Sequence, residues 1–324
     1  ETLKLALLEV DNLTIALTAD GKDTPLVRDV SYKINRGETL AIVGESGSGK
    51  SLSSIAVIGL LSNELSTIAG TITLEGVNLL ELSSEEMRKR LGRDMAMVFL
   101  EPMTSLNPVR SIGSQIMESI EENLCLSRSA ARARAIELLK EVGVADAERR
   151  LKQYPHHFSG GMRQRVMIAI ALAAEPKLII ADEPTTALDV TIQAQILDLM
   201  ARLCHEHGTA LILITHNLGI VARYAQRVNV MYSGQIVESG PAAEIYHNPR
   251  HPYTEGLLRS VPRLDQDRSV PLHPVKGSPA DPFSIINGCR FHPRCDYAQA
   301  ICRQQIPDFD GRVACHFPLE TVHK

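Results

Sequence analysis

An apolar run, Glu38–Val43 (ETLAIV), leads directly into Gly44-Glu45-Ser46-Gly47-Ser48-Gly49-Lys50-Ser51, and a helical pattern follows over Leu52–Leu61. This strand, glycine loop and helix constrain the fold more than any other stretch. The loop satisfies G-x-x-x-x-G-K-[ST]. Its glycines let backbone N–H groups turn toward phosphate oxygens, and Lys50 places a point charge at the β- and γ-phosphates. The Ser51 hydroxyl suits Mg²⁺, and the following helix presents its positive end. A chance glycine loop would lack the strand before and the helix after, so the segment reads as a nucleotide-phosphate site.

The rest of the chain fits an α/β protein. Leu8–Leu17 and Val30–Ile34 alternate like half-buried strands, and Gly70–Leu74 adds another before a turn at Gly76. From Ser111 to about Leu151 the pattern is helical. Leu178–Ala181 and Ala210–Thr215 are short apolar runs of the kind found in buried parallel strands. The first of them ends on Asp182-Glu183. Asp182 at a strand end suits direct or indirect Mg²⁺ binding, and Glu183 suits a general base that takes a proton from an attacking water. After Gly240 prolines become frequent, and Ser260–Asn287 reads as an extended connector.

Composition excludes several classes. The chain has 324 residues, 44% of them hydrophobic and 22% charged, which is incompatible with disorder as the main state. A net charge of −4 argues against a dedicated nucleic-acid binder. No apolar run approaches the roughly 18–20 residues of a membrane span, and no charged-then-apolar leader is read at the start. The expectation is a cytoplasmic chain whose membrane role, if any, requires partner subunits.

Phe158-Ser159-Gly160-Gly161-Met162-Arg163-Gln164-Arg165 opens an apolar helix. Ser159 is a good N-cap, and Gly160 and Gly161 leave backbone amides exposed at the helix start. This stretch resembles the signature motif of ATP-binding-cassette (ABC) ATPases. Pro184–Asp189 resembles the D-loop of that family, and His216, after Leu213-Ile214-Thr215, resembles its switch histidine. The resemblance implies a cassette with a parallel-sheet core that carries the phosphate loop, an antiparallel β subdomain and a helical subdomain at about 101–160. It implies ATP and Mg²⁺ as ligands, Glu183 and His216 as catalytic residues, and Asp189 beside the nucleotide. It also implies that two cassettes pair head to tail, the phosphate loop of one facing the signature helix of the other. Two positions depart from the pattern. Leu17 stands where the family places an aromatic against adenine, and Leu100 where it places a Gln that meets metal and water.

Glu101–Pro108 (EPMTSLNP), Gly161–Ala169, Asp182–Gln195 and His251-Pro252-Tyr253-Thr254 resemble the ATPases of bacterial dipeptide and oligopeptide importers. That resemblance implies a peripheral subunit on the cytoplasmic face of the inner membrane. Its expected partners are a second cassette, alike or different, two permeases and a solute-binding protein. The expected division is a cassette over residues 1–259 and a Pro-rich tail domain over 260–324. Cys289, Cys295, Cys302 and Cys315 stand in that tail as C-x₅-C-x₆-C-x₁₂-C. Without a C-x₂-C pair an ordinary zinc ribbon is disfavoured. The spacing leaves open a Cys₄ metal site, separate thiols or two disulfides, while the resemblance favours a [4Fe–4S] cluster with zinc as the lesser occupant. Arg290, Arg294 and Arg303 are available to offset cluster charge. Two other readings stay open: a soluble ABC ATPase, and a nucleotide- and redox-responsive regulatory cassette whose partner hydrolyses ATP.

Overall fold

The structure is a computed structural model that describes residues 6–19, 21–186, 188–260, 275–284 and 286–320. Most of the expected connector, with Pro262, Pro271 and Pro274, lies outside the described residues, as does Ile285. The strands in chain order are β1 (Leu8–Ala19), β2 (Lys22–Ile34), β3 (Thr39–Val43), β4 (Leu65–Leu74), β5 (Val77–Asn78), β6 (Met95–Val98), β7 (Leu178–Asp182), β8 (Ala210–Thr215), β9 (Arg227–Tyr232) and β10 (Gln235–Pro241). Two compact units share them.

The first unit comprises Ile34–Glu38, Glu81–Leu213 and the described residues up to Leu7. Its β7 lies between β6 and β8, and β6 pairs with it in parallel from Met95↔Leu178 to Val98↔Ala181. Every residue of β7 is buried. A strand buried on both faces needs a continuous apolar run rather than alternation, which is what LIIA supplies. The helices begin at polar caps. Ser111, Ser127, Ser159 and Asp189 each accept from the backbone N–H three residues on, which satisfies one of the unpaired amides at a helix start. The buried Asp94 carboxylate is matched by Arg90 and Lys177, each at 3.2 Å.

The second unit comprises Leu8–Lys33, Thr39–Leu80 and the described residues from Ile214 onward. One sheet has the order β2-β1-β4-β5 and is antiparallel where β1 meets β4 and β4 meets β5. Separately, β3 pairs in parallel with β9, and β9 turns back as a hairpin into β10. The chain after Gly288 packs against this unit. Ser239 N–H donates to the Arg312 carbonyl and Ala314 N–H to the Val237 carbonyl, so the tail covers the edge of β10. Phe291 is buried with Tyr232, Tyr253 and Val43 in one core. Ring centroids of Phe291 lie 5.1 Å from Tyr232 and 5.4 Å from Tyr253. By contrast Phe283, Ile301, Phe309 and Phe317 stay exposed, while Val313 is buried beside the β10 edge.

His251 is 1% exposed. Its Nδ1 accepts from the Tyr253 N–H at 3.0 Å and caps the Pro252–Arg259 helix. Burial pushes its pKa down to about 3. A histidine with a folded pKa below its unfolded value of 6.5 contributes stability that is full above 6.5 and declines as pH falls toward 3. Glu238, which accepts from the Arg250 and His251 N–H groups, is shifted upward by burial, so its own effect runs the other way. His251→Asn keeps a capping acceptor without the titration. Its unfolding free energy, followed by urea melts between pH 7 and 4, is expected to fall less with acid than that of the parent; parallel curves would contradict this.

Candidate nucleotide site

In the second unit, Gly44–Ser51 joins β3 to the Lys50–Val57 helix. A Cβ on Gly44 would lie 2.2 Å from the Met231 carbonyl oxygen and 2.8 Å from Ser48 Oγ, so glycine is required there by close approach. Gly47 and Gly49 have φ of 77° and 97°, a backbone that aims successive amides inward. Lys50 is 4% exposed, and its Nζ donates to the carbonyls of Gly44 at 2.8 Å and Glu45 at 2.9 Å. Ser48 Oγ is buried with no hydrogen-bond partner among the described residues. An orphaned hydroxyl inside a loop of turned amides is the donor set that a polyphosphate would complete. Ser51 follows in the first turn of the helix, and Ser46 stays exposed. His216 belongs to the same unit, just past the end of β8, with an exposed side chain.

The first unit carries the other predicted residues. Asp182 is the buried last residue of β7. Glu183 follows with φ of 44°, a left-handed backbone that is uncommon for Glu and recurs where a site fixes a side chain's direction. The Thr186 hydroxyl donates to its carboxylate at 3.0 Å. Ser159 and Gly160 are exposed at the start of the Gly160–Leu172 helix. A Cβ on Gly161 would lie 3.0 Å from Ile192, and one on Gly160 3.6 Å from Leu188, so the signature glycines and the D-loop region pack together. Asp189 is exposed, and its side chain accepts the Ile192 N–H at 2.9 Å as a helix cap. Leu100 is 44% exposed and offers no polar atom, and Leu17 pairs with Leu65 across β1 and β4.

Sequence reasoning missed two contacts of the phosphate loop. The Tyr253 hydroxyl accepts the Glu45 N–H at 2.8 Å, and Arg294 forms a paired contact with the Glu45 carboxylate at 2.6 and 3.0 Å. Arg290 likewise donates to Ser233 Oγ at 2.7 Å. Two of the three arginines expected to offset a cluster's charge are therefore hydrogen-bonded to Ser233 and Glu45 instead.

The four tail cysteines line one cleft with Phe291, His316 and Phe317. Burial, with neighbouring thiols adding to it, holds Cys289 and Cys295 above the ordinary thiol range and pushes Cys315 up to about 11. Among the described residues no three His, Cys, Asp or Glu are arranged to hold a metal ion.

Residues 27–186 match the family model for the ABC transporter, and residues 237–302 match the model for the oligopeptide/dipeptide transporter C-terminal region. The chain is 47% identical over 323 residues to the dipeptide transport ATP-binding protein DppD of Escherichia coli, which covers 98% of each chain. It belongs to the ABC transporter ATP-binding proteins. It is 50% identical over 302 residues to the oligopeptide transport ATP-binding protein AppD of Bacillus subtilis, covering 93% of this chain and 92% of that one. Among solved structures, the dimeric ABC cassette MJ0796 bound to ADP and Pi matches with a TM-score of 0.62 at 26% identity, covering 72% of this chain and 98% of its own. CbiO1 of Clostridium perfringens matches at 0.64 and 28%, covering 74% and 90%. The ABC family and the cassette fold expected from the motifs are thus borne out, and the chain is an ABC ATPase. Among the described residues no helix is long and apolar enough to cross a membrane.

Proposed function

We propose that the chain is the ATP-hydrolysing subunit of a bacterial importer for di- or oligopeptides, acting on the cytoplasmic face of the inner membrane. Near-end-to-end likeness to proteins named for dipeptide and oligopeptide transport carries this reading, and the match of 237–302 to the C-terminal region of such transporters supports it. Gly44–Ser51 cradles the triphosphate of ATP. Ser51 and Asp182 would hold Mg²⁺, and the ion would supply positive charge to offset that of the phosphates. Glu183 takes the proton of the attacking water, and His216 donates to the γ-phosphate. Ser159, Gly160 and Gly161 complete the nucleotide site of a partner cassette, with Asp189 beside them. Two cassettes close on two ATP, reopen after hydrolysis, and drive two permeases fed by a solute-binding protein. The partner cassette is a different chain.

The tail reading is a [4Fe–4S] cluster on Cys289, Cys295, Cys302 and Cys315. It is supported by four thiols lining one cleft and by the tail's single buried aromatic anchor. Bound there, a cluster would staple the segment, and no step of hydrolysis passes through it.

Tagged chain extracted from membranes in mild detergent tests the importer reading. It is expected to bring two membrane-spanning permeases and a second, different cassette. Recovery as a lone soluble homodimer, or with ribosomes or DNA, would contradict it.

A further inference from the structure

The cassette and its tail meet at one residue of the phosphate loop. Arg294 belongs to the His292–Arg294 turn, immediately before Cys295. Its side chain is 5% exposed. Nη1 donates to one Glu45 oxygen at 2.6 Å, Nη2 to the other at 3.0 Å, and Nε to the Lys276 carbonyl at 2.7 Å. The guanidinium lies 5.8 Å from the Tyr232 ring centroid. The fork is thus held in one orientation on three sides, and both carboxylate oxygens of Glu45 are matched. On the loop side, Glu45 is also pinned through its N–H by Tyr253, which is fully buried, and through its carbonyl by Lys50.

Glu45 is the second residue of a loop built to receive a polyanion. An unpaired carboxylate at that place repels the incoming phosphates, and a free side chain there leaves the loop entrance without a fixed course. We propose that Arg294, in the C-terminal segment, is a positioning residue for ATP that cancels the Glu45 charge and fixes the entrance of the phosphate loop. The inference rests on the reading of Gly44–Ser51 as the triphosphate cradle. It makes the tail a determinant of ATP affinity rather than an appendage, and it does not depend on what the four cysteines hold. Arg294 acts before the chemical step, through Glu45, so its contribution falls on KM.

Steady-state ATPase of the assembled transporter complex tests this in Arg294→Ala, Arg294→Lys, Glu45→Gln and the Arg294→Ala/Glu45→Gln pair. Arg294→Ala is expected to raise KM for ATP about tenfold, the scale of one lost charge-assisted hydrogen bond, with kcat changed less than about twofold. Arg294→Lys recovers part of the loss, because an ammonium matches one oxygen but not both. Adding Glu45→Gln to Arg294→Ala returns KM to within about threefold of the parent, since the repelling charge is gone. A merely structural role for Arg294 would show no such rescue. If Arg294→Ala does not fold, Arg294→Gln carries the test: it keeps a donor but no charge, so KM should rise at least about threefold with kcat within about twofold, and an unchanged KM overturns the proposal. Lys50→Ala separates the two levels. ATP binding that survives Lys50→Ala removes the cradle and this proposal together. Binding lost in Lys50→Ala, with KM unmoved in Arg294→Ala, overturns the proposal alone.

Discussion

Glu183→Gln is expected to stop ATP turnover while leaving ATP binding intact. Glu183 follows the buried strand end at Asp182, and its left-handed backbone turns the chain sharply at that point. The Thr186 hydroxyl at 3.0 Å can donate equally to a Gln carbonyl, so the substitution preserves the local hydrogen bond and removes the base. General-base groups contribute about 10²–10⁴-fold, so turnover of the assembled complex should fall at least about a hundredfold. Nucleotide affinity, measured by equilibrium binding, should stay within a few-fold. Closure of the cassette pair on unhydrolysed ATP should follow, visible as a stable nucleotide-bound dimer. Turnover within tenfold of the parent would show that another group activates the water.

The second large effect is expected in the tail. Protein purified without oxygen should be brown and carry about four irons per chain. Replacing any one of Cys289, Cys295, Cys302 or Cys315 with Ser should bleach it to less than about one iron. Phe291, Cys302 and Val313 are buried, but Phe283, Ile301, Phe309 and Phe317 are exposed, so most of the segment's large apolar side chains do not offset the entropy of ordering it. A bound centre would supply the missing stabilisation. Proteolysis reports this independently of activity: each Cys→Ser variant should be cut faster after Gly288 while Lys50-dependent ATP binding persists. One zinc and no iron would change the identity of the centre. No metal, with all four thiols reactive, would remove it and leave the tail held by its pairing on β10, the buried Phe291 and the arginine contacts.

The parts of this protein that were legible in its sequence are those built by neighbouring residues. The β3–loop–helix order, the apolar run of β7 ending on two carboxylates, and the Ser159 cap each fit within a dozen positions, and the structure forms each, with the helix at Lys50–Val57 rather than Leu52–Leu61. The hairpin of β9 and β10 gives no such signal, because a buried Asn229 interrupts the apolar run of β9. The Arg294–Glu45 pair joins residues 249 apart, a separation at which periodicity and motif spacing carry no signal. Arg294 sits among cysteines in the sequence, where it suits a counter-charge, but the fold delivers it to the phosphate loop. His251 in His-Pro-Tyr-Thr reads as a motif, yet its physical task is to cap a helix as a buried neutral ring.

The central claim is that this chain converts ATP hydrolysis into peptide import. ATP-driven uptake of a labelled dipeptide or short oligopeptide into inside-facing proteoliposomes tests it most directly, with the chain, its co-purified partners and the solute-binding protein reconstituted together. The account predicts uptake that requires internal ATP, is lost in Lys50→Ala and Glu183→Gln, and rises together with ATPase activity when peptide-loaded binding protein is present. ATP hydrolysis that is indifferent to peptide, with no solute accumulated, would contradict it.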